Sequence, residues 1–496
     1  MKIWRCEDIR AADQKAQELG IAGIVLMEHA AIALAKVVIE ASKSYGRRIA
    51  IICGCGNNGG DGYALARLLK QNDSLQVTIV KNHEIDNLSG DAKTNAEIAV
   101  RLGIPMITSE QLSADGYDIL VDCLFGSGLS RAIVGENAHL IEQLNKFDAY
   151  RIACDIPSGL SADEGLIQGC AFQAHETMTF GGGKLGLYMN DGITHSGTIT
   201  IADIGIPPQV MNEYESIVIL DDDIIQQRLP HRTINSHKRT YGNLLLIGGK
   251  KGMHGALCMA SEASLRCGAG LVTMMGEELH CGSAFALQEA MCLNYPKLDS
   301  EAFQKQLCHF DCVAVGNGLG RDERAMWLIQ QVWNSDLPAV FDGDALYLLG
   351  QWPKRKSRTA PYVLTPHPKE LSYLLGVDTK DLLKNPSEAL KLSEKTFSNG
   401  VVVLKNARTL ISDGSARYLN LTGNHGLATG GSGDILCGMI LGLMGQGSSG
   451  MDAASCAVYL HGKCADSLSK TMATRSILPR DLLRQLPKEL MSFDIE

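Results

Sequence analysis

The feature that most constrains this chain is a repeated grammar: a short apolar, β-branched run ends in Gly, Asn or Asp and gives way to a helical pattern. Such alternation builds α/β sheets of mostly parallel strands, because each strand must return to the same end of the sheet through a crossover helix. The strand candidates in the first half are 48–53, 76–80, 118–124, 151–154, 177–180 and 198–202. In the second half they are 243–247, 271–275, 312–315, 339–341, 362–364, 401–404 and 409–412. At 496 residues the chain exceeds one ordinary core. The charged, proline-punctuated stretch 221–242 places a domain boundary near residue 220, giving halves 1–220 and 221–496.

The second half carries GLATGGSGDILCG at 426–438, a Gly-rich turn running into an apolar helix. Free N–H groups of Gly430, Gly431, Ser432 and Gly433 at such a helix start can hold a phosphoryl oxygen. Asp434, in the first helical turn, is poorly suited to bind phosphate but well placed to take a proton from a hydroxyl attacking it. The alternative is an acidic residue that only stabilises the helix terminus.

The first half has its own turn, GCGNNGGDG at 54–62, between the strand RIAIIC and the helix pattern YALARLLK. Gly54, Gly56 and Gly59 fit a pyrophosphate-binding fingerprint, but Asn57, Asn58 and Asp61 make it unusually polar for a hydride-transferring dinucleotide domain. Asp122 and Asp155 close further strands, and with Asn58 and Ser158 they form an all-oxygen set suited to a hard cation. Taken singly, each aspartate could equally cap a turn.

Composition excludes several classes. A net charge of −9 gives no basic surface for nucleic acid or an anionic membrane. The 15 cysteines are scattered, without CxxC pairs or zinc spacing, which fits reduced thiols in a cytoplasmic protein. The N-terminal segment lacks an apolar signal core and no membrane span is expected. His29, His139 and His461 lie in apolar helical patterns and read as core or surface residues; Cys53 and Cys55 read as packing residues.

GCGNNGGDG, VDCLFGSGLSR, CDIPSGL and FGGGKLGL resemble the NAD(P)H-hydrate epimerase family. HKRTYG, LVTMM, GNGLG, LTPHPKEL, VVLKNART and TGNHGLATGGSGDILCGMI resemble the ribokinase-like NAD(P)H-hydrate dehydratases. The matches span nearly the whole chain, in the order of the bifunctional bacterial proteins that fuse both activities. The resemblance implies an α/β chain with an N-terminal Rossmann-like three-layer domain followed by a ribokinase-like α/β domain. It implies repair of hydrated nicotinamide cofactors: R and S forms of NADH-hydrate and NADPH-hydrate interconverted, and the S form dehydrated with ADP and magnesium. A large enzyme of this kind is expected to be a homo-oligomer.

The resemblance also implies site residues. Asn57, Asn58, Gly59, Gly60 and Asp61, the run Gly126, Ser127, Gly128, Leu129, Ser130, Arg131 and Ala132, and Asp155 match the epimerase substrate positions. Asn58, Asp122 and Ser158 match a potassium site. Asp155, not spent on the cation, is the acid/base candidate; Lys184 is a second one, or a phosphate contact. In the second half Asp434 is the base on the ring hydroxyl, and Ala256, Gly318, His367 and Asp434 match hydrate-binding positions. Lys405, Asn406, Ala407, Arg408, Thr409 and Gly433 match the nucleotide segment. Asn317 replaces a usual proline, and Asn406 and Ala407 replace a usual KG; neither departure is expected to touch the aspartate. His367, flanked by prolines, also fits a plain loop histidine.

Two alternatives stand beside this reading. One is a ribokinase-like small-molecule kinase with a nucleotide-binding regulatory domain, which leaves NNGGDG and DIPSG unexplained. The other is a non-catalytic nucleotide sensor, against which the paired aspartates Asp155 and Asp434 argue.

Overall fold

A computed structural model describes residues 1–129, 131–279, 287–297 and 299–494. The chain forms two compact units, Met1–Ile217 and Val218–Glu496.

In the first unit the main sheet runs Met106–Ile107, Gln76–Lys81, Arg48–Cys53, Ile119–Cys123, Tyr150–Cys154, Glu176–Phe180, Thr198–Ala202, and every pair is parallel. Alternate residues feed opposite faces. Ile49, Ile51 and Val121 pack beneath Leu26, Leu34 and Leu65 on one side, while Ala50, Ile52 and Leu120 pack against Leu140, Leu144 and Phe172 on the other. Three layers result, as a sheet apolar on both faces requires. The chain travels outward from Arg48–Cys53 to Met106–Ile107, then reappears on the opposite side of Arg48–Cys53 at Ile119–Cys123. That reversal opens a crevice at the carboxyl ends of these two strands.

The second unit repeats this logic. Its strands run Met291–Asn294, Leu271–Gly276, Asn243–Ile247, Cys312–Val315, Ala339–Phe341, Tyr362–Leu364, Gly400–Leu404, Thr409–Ser412, Arg417–Asn420. Pairing is parallel as far as Gly400–Leu404 and antiparallel across the last three. The reversal falls between Asn243–Ile247 and Cys312–Val315. Helices His254–Arg266, Ser432–Met444 and Gly450–Ser469 cover one face, over Leu244, Leu246, Ala314 and Val340. The first two lie backbone to backbone: a Cβ on Gly438 would stand 1.9 Å from the Ala260 carbonyl oxygen, and Ser264 Oγ donates to the Gly438 carbonyl at 2.8 Å.

Strands that the pattern did not reveal are short: Lys2–Trp4, Met106–Ile107, Gly183–Lys184, Ile217–Ile219, Met291–Asn294 and Arg417–Asn420. Two to four residues are too few for a period to register. The helix after the first Gly-rich turn also starts earlier than expected, at Asn57, so NNGGDG is its opening turn. Among the described residues no helix is long and apolar enough to cross a membrane.

Candidate functional site

Each crevice gathers candidate site residues. In the first unit, Gly54 leaves its strand with its N–H on the Cys123 carbonyl at 3.0 Å, and Ile52 and Cys53 stand in register with Asp122 and Cys123. The turn then closes where no side chain fits. A Cβ on Gly59 would lie 1.9 Å from the Gly54 carbonyl oxygen, and one on Gly54 would lie 1.9 Å from that of Leu124. These glycines let the helix Asn57–Leu69 begin directly above the strand ends.

A cavity of about 750 Å³ opens there, lined among others by Asn57, Asn58, Asp61, Gly126, Ser127, Gly128, Leu129, Arg131, Asp155 and Lys184. Gly59 and Gly60 are buried inside the helix, and Ala132 is exposed away from the lining. Ser130 lies outside the described residues. Asp155 holds φ +67, a left-handed conformation unusual for a residue with a Cβ. Its Oδ1 accepts from Lys184 Nζ at 2.6 Å and from Thr179 Oγ1 at 3.3 Å. Lys184 is 1% exposed and also donates to Thr179 Oγ1 and the Phe180 carbonyl. The reading of Lys184 as a phosphate contact is therefore corrected: an ammonium has three protons, and these are engaged within the protein. Burial, helped by the Asp155 and Asp13 carboxylates, pushes the Asp61 carboxyl well up, and Lys184 pulls against it.

Beneath the cavity floor, Asp122 is 1% exposed. Its Oδ1 accepts from Ser158 Oγ at 2.7 Å and the Leu124 N–H at 3.1 Å, and its Oδ2 accepts from the Ser158 N–H at 2.8 Å. Burial pushes its carboxyl up to about 6 against these bonds. Asn58 is buried with neither side-chain polar atom hydrogen-bonded. Such an orphan is costly unless something fills it.

In the second unit, Gly431 at φ +98 caps the helix Ser432–Met444, and Asp434 stands in its first turn. The Ser432 N–H is already taken by the Thr429 carbonyl at 3.2 Å, which corrects the expectation that four free N–H groups share one spot. Behind the turn, His461 is buried with Nε2 at 3.2 Å from Ser432 Oγ, and burial lowers it to about 4. It supports the turn from within the core.

Asp434 is the end of a buried polar chain. Asn317 Nδ2 donates to Asp434 Oδ1 at 2.8 Å and to Asp342 Oδ2 at 3.2 Å. Asp342 Oδ1 accepts from Thr365 Oγ1 at 2.6 Å and Lys405 Nζ at 3.0 Å. Burial pushes Asp434 up to about 6; the Asn317 bond and Lys405 oppose this, while Asp342 and Asp344 add to it. Lys405 is raised overall, since Asp342 and Glu370 outweigh burial. The expectation that the replacement at 317 would not touch the aspartate is thus corrected.

The other expected residues divide. Gly318, at φ +60, lies against the first turn of His254–Arg266, where its Cβ would stand 3.3 Å from that of Ala256. A Cβ on Gly433 would stand 3.5 Å from Lys405 Nζ. Ala256, Gly318, Gly433, Lys405 and Asp434 therefore converge. His367 is the N-cap of Pro368–Leu375: its Nδ1 accepts from the Lys369 and Glu370 N–H groups, and Glu370 bonds back to its N–H at 2.9 Å. This capping box explains its place between prolines. Arg408 turns to the Leu421 carbonyl, Asn406 folds onto the Ala407 N–H at 2.9 Å, and Thr409 opens a strand. Asp342 and Glu370 were missed; Asp342 follows the strand Ala339–Phe341 directly, the same placement that marks Asp155 in the first unit.

Residues 23–186 match the family model described as YjeF-related protein N-terminus, and residues 244–488 match the one described as NAD(P)H-hydrate dehydratase. A bifunctional NAD(P)H-hydrate repair enzyme of Coxiella burnetii is 35% identical over 98% of this chain and 98% of that protein. The chain belongs to that family. A relative with the same description from Escherichia coli K12 is 33% identical over 98% of this chain and 93% of its own. Among solved structures, an ADP/ATP-dependent NAD(P)H-hydrate dehydratase of Bacillus subtilis, co-crystallised with ATP and magnesium, is 30% identical with a TM-score of 0.50, covering 56% of this chain and 99% of that one. Family membership along the full length leaves the kinase-with-regulator alternative without support.

Proposed function

We propose that this bifunctional repair enzyme divides its work by unit: Met1–Ile217 epimerises R and S NAD(P)H-hydrate, and Val218–Glu496 dehydrates the S form to NAD(P)H with ADP. The observation that carries it is the Asp434 carboxylate, held on one oxygen by Asn317 at the mouth of the Gly431–Gly433 turn with Lys405 alongside.

In the second unit Asp434 takes the proton from the ring hydroxyl as that oxygen attacks the terminal phosphorus of ADP, and AMP leaves. Lys405 and the first-turn N–H groups offset the charge on the transferred phosphoryl. The phosphate then departs from the ring carbon, a proton leaves the neighbouring carbon, and the dihydropyridine is restored. A base raised to about 6 is ionised at neutral pH and basic enough for this task. Ala256, Gly318 and His367 are the residues we assign to hydrate binding; Gly318 adjoins Ala256 there. Magnesium comes with the nucleotide phosphates, where it neutralises charge.

In the first unit Asp155 is the acid/base group, and Asn57, Asp61, Gly126, Ser127, Gly128, Leu129 and Arg131 line the hydrate pocket. We assign potassium to Asn58, Asp122 and Ser158. The all-oxygen donors fit it, as do the unpartnered Asn58 amide and the spare lone pairs on Asp122. Bound there, it supplies fixed positive charge beneath the pocket. We place the protein in the cytoplasm, the compartment that suits its scattered cysteine thiols, and take it to be a homo-oligomer.

The test supplies mixed R and S NADH-hydrate with ADP and magnesium and follows reduced-nicotinamide absorbance. Full recovery in the wild type, none in Asp434→Ala, and recovery of the S fraction alone in Asp155→Ala is the expected pattern. Recovery stopping at the S fraction in the wild type overturns the epimerase assignment.

A further inference from the structure

Asn317 is 2% exposed, and its amide spans two carboxylates from different elements. Asp342 follows the strand Ala339–Phe341, and Asp434 opens the helix Ser432–Met444. Each carboxylate receives one proton of the same NH₂ group, at 3.2 and 2.8 Å. The amide oxygen accepts from Cys437 Sγ at 3.3 Å, and Cys437 stands one turn beyond Asp434 on the same helix. A thiol can donate to the oxygen of an amide but not to its NH₂. Cys437 thereby fixes which way the amide faces.

Without that NH₂ group, the buried Asp342 carboxylate and the half-buried Asp434 carboxylate would face each other across the site. They would repel, and the Asp434 side chain would swing or take up a proton. With it, Asp434 Oδ1 is anchored and Oδ2 is left to meet substrate. Asp342 cannot yield instead, because Thr365 and Lys405 hold its other oxygen.

We propose that Asn317 is a positioning residue for dehydration: its amide locks the Asp434 rotamer and couples that carboxylate to Asp342 and Lys405. The inference rests on Asp434 being the base. The charged and titratable groups around Asp434 are Asp342, Asp344 and Lys405, with Cys437 on its own helix and Glu370 beyond Lys405. Among these, Lys405 and the Asn317 bond hold the carboxyl down, while burial and the two aspartates push it up.

The experiment measures kcat and KM for dehydration of S-NADH-hydrate with ADP in the full-length protein between pH 5.5 and 9. Asn317→Leu keeps the branched shape and removes the donor. The acidic midpoint of kcat is expected to move up by about one pH unit, as loss of a hydrogen bond to a charged group implies. The rate should fall about tenfold below the midpoint, recover at alkaline pH, and leave KM for ADP within about twofold. Asn317→Ser, too short to reach both carboxylates, repeats the test if the leucine variant does not fold. Cys437→Ala should give a smaller shift of the same sign. A kcat profile superimposable on that of the wild type, or lowered equally at every pH, overturns the proposal. Asp434→Asn separates the two ideas. If it still turns over, the base assignment fails; if it is inactive while the Asn317 variants keep the wild-type midpoint, only the positioning role fails.

Discussion

The Lys184 ammonium sits 2.6 Å from Oδ1 of Asp155, and the lysine side chain is almost wholly sealed from solvent. The acid/base candidate of the first unit therefore has a built-in counter-charge. Removing one partner of such a pair leaves an uncompensated buried charge, which costs about 3–5 kcal/mol. Lys184→Met should lower the first unit's unfolding free energy by that order and abolish epimerisation, while S-hydrate is still dehydrated. Denaturant melts of the variant, with separate assays on R and S substrate, check both parts.

Asp434 predicts a pH profile. Its carboxyl is pushed up to about 6, chiefly by burial, and a base works only when ionised. The kcat for dehydration should fall as pH drops through about 6 and be flat above pH 7. The linkage has the opposite sense for stability. A carboxyl raised on folding favours the native state at low pH, and that contribution is lost as pH rises towards 6. Asp434→Asn should therefore melt higher than the wild type at pH 8, with a smaller difference at pH 4, although it is inactive at both.

Two neighbouring glycines should respond differently to alanine. Gly431 adopts φ +98, and a Cβ there would lie 2.6 Å from Met259 Cε, so Gly431→Ala should destabilise the turn by about 1 kcal/mol or more. At Gly433 the nearest neighbour of a Cβ is Lys405 Nζ at 3.5 Å, an ordinary contact. Gly433→Ala should fold normally yet raise KM for ADP, because its methyl points where the phosphoryl would sit. Calorimetric melts and ADP titrations distinguish the two outcomes.

For the first unit, exchange of potassium for tetramethylammonium should slow epimerisation, and readdition should restore it. Asn58→Leu fills the orphaned amide's place without a donor oxygen, and its epimerase activity should be low and indifferent to potassium. A wild-type rate unchanged in potassium-free buffer removes the cation assignment.

The longer strands and the aspartates near glycine-marked turns were legible in the sequence, whereas Asp342, which follows its strand just as directly, was missed. RIAIIC and AVF are continuous apolar runs of buried parallel strands, and their bounds coincide with Arg48–Cys53 and Ala339–Phe341. Asp155 and Asp434 stand next to glycine-marked turns, which announce tight backbone. Asn317 could not be read in this way. Its two partners are brought to it by the fold, Asp434 from 117 positions away, and no local pattern records that approach. Lys184 read as a second acid/base candidate or a phosphate contact, because nothing in the sequence shows that Asp155, Thr179 and Phe180 all accept from its ammonium. His367 looked ambiguous for the opposite reason: its partners are local, and the capping box alone accounts for its place between prolines.

The interlock of Gly54, Gly59 and Leu124 limits how this protein can change over generations. The Gly54 carbonyl fills the volume a side chain at 59 would need, and the Leu124 carbonyl fills that of 54. Neither glycine can be exchanged alone, and no single neighbouring substitution makes room, since the obstacles are main chain. Gly56 and Gly128 border the same cavity with nothing within 4 Å of a Cβ. New substrate preferences in this lineage are open to drift at 56 and 128, whereas 54 and 59 are frozen by geometry whatever the substrate.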